Sequence, residues 1–185
     1  MIFFFVTVCV TLTTDSGKIL AKLHAMQPKG ELQLLSGIKI AHLALKHRLG
    51  KNHKTRIVVF VGSPIEAEEK ELIKIAKKLK KEKVSVDVVS FGEDDCNKDL
   101  LGKFIETVNG RDGKDSHMLS IPTGPHLSDA LVSSAIVQVL TSIDFIYIPM
   151  YAWDFRNFWY KVQNIGVLTA NGRPCVVIII YYIPT

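Results

Sequence analysis

Apolar positions along this chain follow two rhythms, and the change from one to the other marks its elements. From Ile57 to Val61 the residues are continuously apolar and mostly β-branched, the pattern of a strand covered on both faces. Gly62 closes the run. From Leu72 the spacing becomes helical: Leu72, Ile75, Ala76 and Leu79 fall at i, i+3, i+4 and i+7. Val84 to Phe91 returns to strand character. Ser63-Pro64-Ile65-Glu66 reads as a capping box with proline at the first helical position, so the helix is expected to run from there to about Lys81. Four glutamates, Glu66, Glu68, Glu69 and Glu71, crowd its start, and Lys77, Lys78, Lys80 and Lys81 its end, as the helix dipole favours. A helix of that length between two strands predicts a right-handed βαβ unit in a parallel sheet.

The same periodicity carries outward. Ile19, Leu20, Leu23 and Met26 predict a short amphipathic helix after the cap residues Thr14-Asp15-Ser16, broken by Pro28 and Gly30. Glu31 to Leu35 reads as briefly extended. Ser36-Gly37 is expected to open a helix with Ile38, Ala41 and Leu45 on one face. After an acidic turn, Glu93-Asp94-Asp95, a helix is predicted from about Lys98 to Asn109, with Gly110 as its C′ residue. His117 to Ile121 reads as a short strand and Leu127 to Ser134 as a short helix. Ile2 to Leu12 has the length of a signal-peptide core but lacks a basic lead and a small-residue cleavage site, so it reads as a strand. Val176 to Ile183 is another strand-like run, closed by Pro184. No stretch has the clean apolar length of a membrane helix.

Composition narrows the class. With 185 residues, 48% hydrophobic and 22% charged, the chain suits one domain with a substantial core. Mean hydropathy is +0.20, and the apolar excess sits at the two ends. Three distant cysteines, Cys9, Cys96 and Cys175, form no CxxC and favour a reducing compartment. The net charge of +5 permits acidic partners without requiring them.

Lys46, His47, Arg48, Lys51, His53, Lys54 and Arg56 make a basic connector. It reads either as a phosphate-binding patch or as a solvated helix end; no aromatic residue interleaves to stack on bases. Gly62-Ser63 sits at a strand's C-terminal end, where open α/β sheets bind ligands, but Ser63 has no indicated histidine partner and is explained by capping. No GxGxxG, P-loop, GxSxG or HExxH is present. His42 and His47 are five apart and do not share a helix face as a metal pair would.

Longer strings are more specific. Gln27 to Gly30, Ile40 to Arg48, Gly50 to Lys54, Val59 to Pro64, Lys77 to Val84 and Phe91 to Glu93, continued by Asn109-Gly110, Asp112-Gly113, Ser116-His117, Gly124-Pro125 and Leu127 to Leu131, resemble the von Willebrand factor A-type domains of proteasomal ubiquitin receptors. The resemblance covers about Val10 to Ile136. It implies a three-layer α/β/α fold with a mostly parallel sheet, here joined partway and lacking the family's first strand-helix-strand. It divides the chain into a partial domain, 1–136, and a divergent apolar and aromatic tail, 137–185.

It also implies a non-catalytic docking role in the proteasome regulatory particle, in cytoplasm and nucleus, with other regulatory-particle subunits as partners and no cofactor, nucleic acid or membrane. The family's metal site wants an Asp where this chain has Gly62-Ser63, so no metal site is carried over. Its ubiquitin-interacting helices are led by acidic runs that this chain lacks. Leu127, Ala130 and Ser134 keep part of that spacing without the charge. Candidate docking residues are Lys46, Arg48, Lys51, His53, Lys54, Lys77, Lys78, Lys80 and Lys81. Two other readings stay open: a nucleic-acid module using Lys46 to Arg56, and a small α/β enzyme with its site at Gly62-Ser63. Without the family's first strand, the strand at Ile57 to Val61 would present an open edge. Either Ile2 to Leu12 or Val176 to Ile183 is expected to fill it.

Overall fold

The computed structural model describes residues 6, 8–10, 16–25, 32–47, 54–91, 94–110, 113, 115–121 and 176–183. Among them are helices α1 (Ser16–Ala25), α2 (Leu34–Lys46), α3 (Glu69–Lys81) and α4 (Asp94–Asn109), and strands β1 (Lys54–Val61), β2 (Val84–Phe91), β3 (Met118–Ile121) and β4 (Val176–Ile183). The strands form one sheet in the order β3-β2-β1-β4. β1 pairs in parallel with β2, and β2 with β3. β4 pairs antiparallel with β1 along its whole length, from Lys54 opposite Ile183 to Val61 opposite Val176.

The βαβ unit forms as its pattern predicts. Ile57, Val59 and Val61 of β1 and Val84, Val86 and Val88 of β2 point to one face of the sheet. There they meet Ile38, Ala41 and Leu45 of α2, the Leu72, Ile75, Ala76 and Leu79 stripe of α3, and Leu101, Phe104, Ile105 and Val108 of α4. These aliphatic and aromatic side chains are the main source of the fold's stability, since burying each contributes roughly 1.5–3 kcal/mol before conformational entropy is subtracted. The opposite face is buried too: Val58, Phe60, Asp87 and Val89 are shielded from solvent. The helix expected at Leu127 to Ser134 lies outside the described residues.

Several boundaries differ from expectation, each for a tertiary reason. α3 begins at Glu69, not at the capping box: its N-cap is Glu68, which makes no side-chain cap bond. Instead, Asn97 in the first turn of α4 donates from Nδ2 to the Ser63 carbonyl at 2.7 Å and accepts from the Ile65 N–H at 3.0 Å. That two-sided clamp holds 63–65 as a loop, so Ser63 is not the helix cap. β1 starts at Lys54, earlier than the apolar run, because β2 and β4 offer pairing partners over its full length. α2 starts at Leu34, taking in Leu34 and Leu35, because burial of Leu34 favours the helix over an extended segment. α4 begins at Asp94 and includes the two aspartates assigned to a turn, where a helix N-terminus favours negative charge.

The open edge of β1 is filled by β4. Correspondingly, the described residues of the N-terminal run, Val6 and Val8 to Val10, lie in no strand. Val8 is 57% exposed. With β4 seated, β1 has no edge left for the N-terminal run to pair with.

Candidate docking surface

α3 is a charge gradient built into a helix. Its acidic start is engaged: Lys103 of α4 places Nζ 3.1 Å from both Glu69 carboxylate oxygens, and Lys39 of α2 lies 3.9 Å from Glu71. Its basic end is not. Lys77, Lys78, Lys80 and Lys81 are exposed, and no ion pair among the described residues engages them. Lys83, just past the C-cap Glu82, has φ +56°. It ends α3 in the left-handed conformation that glycine usually supplies. Gly110, at φ +67°, ends α4 in the same way, as its position predicts.

Lys46 joins this basic surface from the end of α2, where it is exposed. Beside it, His42 Nε2 lies 2.7 Å from Glu82 Oε2; a carboxylate can only accept, so the ring N–H donates. That hydrogen bond holds the Glu82 carboxyl below its ordinary pKa. Slight burial opposes the shift, and the positive charges of His42, Lys46 and Lys78 add to it. Arg48, Lys51 and His53 lie outside the described residues, and so does the side chain of Lys54.

The basic connector is therefore not one patch. Lys54 begins β1, and Arg56 is 7% exposed, its guanidinium paired with Asp87 of β2. This corrects the reading that groups Arg56 with phosphate-binding cations. Asp87 is fully buried and also accepts the His117 N–H at 3.0 Å and the His117 Nδ1–H at 3.1 Å. One carboxylate thus ties β1, β2 and the entry to β3. Asn109 reinforces that corner: its Nδ2 donates to the Ser116 carbonyl at 2.8 Å, and its Oδ1 accepts the Ser116 N–H at 2.9 Å. The Ser116 Oγ in turn accepts the Val86 N–H at 2.9 Å. Sequence reading missed this network. Its signal is Asp87 itself, a charge amid an apolar strand, which burial permits only with partners.

The strand-end site at Gly62-Ser63 is occupied by the protein. The Phe91 ring covers Gly62 so closely that an added Cβ would fall 2.6 Å from its Cε2, and Asn97 holds Ser63 and Ile65. Neither the enzyme reading nor the nucleic-acid reading gains support from these positions. Among the described residues, no group of histidine, cysteine, aspartate and glutamate is placed to hold a metal ion, and no helix is long and apolar enough to cross a membrane.

The described residues thus form an α/β domain: a mostly parallel sheet with three helices packed on one face. The von Willebrand factor type A domain profile matches residues 5–65. The crystal structure of the SpRpn10 VWA domain superposes with a TM-score of 0.63 at 44% identity, over 70% of this chain and 66% of that one. These matches give the chain a von Willebrand factor A-type region. Within it, the chain is homologous to 26S proteasome non-ATPase regulatory subunit 4. It is 62% identical over 133 residues to that protein from Drosophila melanogaster, covering 72% of this chain and 34% of the fly protein. It is 45% identical over 128 residues to the 26S proteasome regulatory subunit RPN10 of Saccharomyces cerevisiae, covering 69% of this chain and 48% of the yeast protein. The chain spans about a third to a half of the length of these relatives.

Proposed function

We propose that this chain is a non-catalytic docking module of the proteasome regulatory particle, acting in ubiquitin-dependent protein degradation in the cytoplasm and nucleus. The observation that carries the reading is its 62% identity, over 133 residues, to a protein named as a proteasome regulatory subunit. Binding is assigned to the exposed surface, with Lys46, Lys77, Lys78, Lys80 and Lys81 as its contact candidates. Clustered exposed lysines favour an acidic counterpart and speed its encounter. Arg48, Lys51, His53 and Lys54 remain candidates on sequence alone. The reading assigns no catalytic step, cofactor or ubiquitin capture to this chain.

Affinity purification of the tagged chain from cells tests the proposal. Regulatory-particle subunits are expected to co-purify stoichiometrically and to dissociate more readily as salt is raised. A folded chain that brings down none of them overturns it.

A further inference from the structure

Between α2 and α3 lies a notch of about 140 Å³, floored by Ile75 and Leu79 and walled by Lys39, His42 and Lys78. Two lysine stripes flank it. On α2, Lys39 and Lys46 are spaced i and i+7; on α3, Lys74, Lys78 and Lys81 are spaced i, i+4 and i+7; all are exposed. Two carboxylates interrupt them. Glu71 lies 3.9 Å from Lys39, and Glu82 is hydrogen-bonded to His42 within reach of the Lys46 and Lys78 charges. The protein's own Glu82 carboxylate is thus already held at the groove's edge by His42.

The groove is not purely electrostatic. Its floor, Ile75 and Leu79, is apolar, and Leu43, between Lys39 and Lys46 in the α2 sequence, is 55% exposed. A nucleic acid would meet two carboxylates and no aromatic platform in the notch. A helix with acidic residues flanking an apolar one matches all three elements: lysine rails, exposed leucine and apolar floor.

We propose that the α2–α3 face receives an acidic amphipathic helix of a partner protein. An apolar side chain of that helix enters the notch over Ile75 and Leu79, its carboxylates meet Lys39 and Lys78, and a second apolar side chain covers the exposed Leu43. The proposal deepens the docking reading and rests on its premise of a protein partner.

The probe is a fluorescein-labelled helical peptide of Glu, Leu and Ala, titrated by anisotropy against the full chain. Saturable binding is expected. The Lys39→Glu/Lys78→Glu variant is expected to bind about tenfold more weakly, and Leu43→Ser several-fold more weakly. Both variants alter exposed positions, and circular dichroism verifies their fold. Equal binding by the double charge reversal overturns the proposal. So does equal binding of a leucine-free peptide, or tighter binding of a single-stranded oligonucleotide. The same variants are then tested in the particle purification. If the peptide binds in the expected way while no form of the chain co-purifies with particles, the docking reading fails and the groove stands. If every form co-purifies equally and none binds the peptide, the groove fails and the docking reading stands.

Discussion

At the scale of single residues, the most consequential side chain is Asp87. It is buried among valines and serves Arg56, the His117 backbone and the His117 ring at once. Removing one partner of such a cluster leaves an uncompensated buried charge, which costs more than the intact pair gains. Asp87→Ala is therefore expected to destabilise the fold by about 3–5 kcal/mol. Arg56→Met is expected to cost less, about 1–3 kcal/mol, because Asp87 keeps both His117 donors. Urea denaturation midpoints give the order, and equal losses would refute the asymmetry. The two helix ends give an opposite-signed pair. Gly110→Ala places a Cβ on a left-handed residue and is expected to cost about 1 kcal/mol. Lys83→Gly removes the same strain and is expected to raise stability by up to about 1 kcal/mol. Thermal unfolding of both variants, compared with the parent, checks the signs.

At the scale of elements, α2 and α3 are joined where His42 meets Glu82. Glu82 has a lowered pKa in the folded state, so its contribution is fully present above the ordinary carboxylate pKa. That contribution is lost as pH falls through the depressed value. Glu82→Gln is expected to lower stability at neutral pH and to leave it unchanged at the acid end of that window. A stability difference from the parent that persists undiminished in acid would refute the linkage. β4 admits a test by neighbours. Successive backbone N–H groups of an antiparallel strand alternate between its partner and the outer side. Of Ile179→Pro and Ile180→Pro, the one that removes a donor to β1 is expected to speed β1 amide exchange, and the other to spare it. Equal protection of β1 in both variants would argue against the pairing.

Much of this element scale was legible in the chain. β2, the α3 stripe and Gly110 followed from periodicity and turn chemistry, which act within a few residues. The misreadings came where a distant residue overrode a local signal. Ser63 to Glu66 spells a capping box, yet Asn97, more than thirty positions on, holds the loop open. Arg56 sits in a sequence run of cations, yet Asp87 draws it inside. Exposed Lys46, Lys77, Lys78, Lys80 and Lys81 needed only composition to be chosen. The groove between α2 and α3 needed the packing, because nothing in either helix alone sets Lys39 and His42 against Ile75 and Leu79.

At the scale of the molecule, the chain spans between 31% and 50% of its relatives' length. The proposed docking needs only a folded surface such as the α2–α3 face. Two proteins sharing that surface compete by mass action for one berth. This 185-residue chain, expressed in excess, is therefore expected to displace the full-length receptor from regulatory particles and to lengthen the half-life of a ubiquitylated reporter. Quantitative blotting of purified particles gives the exchange, and a pulse-chase of the reporter gives its consequence. Unchanged receptor occupancy of the particles would refute the competition, and full incorporation with unchanged reporter turnover would refute its effect on degradation. If the groove carries the docking, Lys39→Glu/Lys78→Glu is expected to abolish displacement and turnover effect together, because a chain that cannot take the berth cannot withhold it.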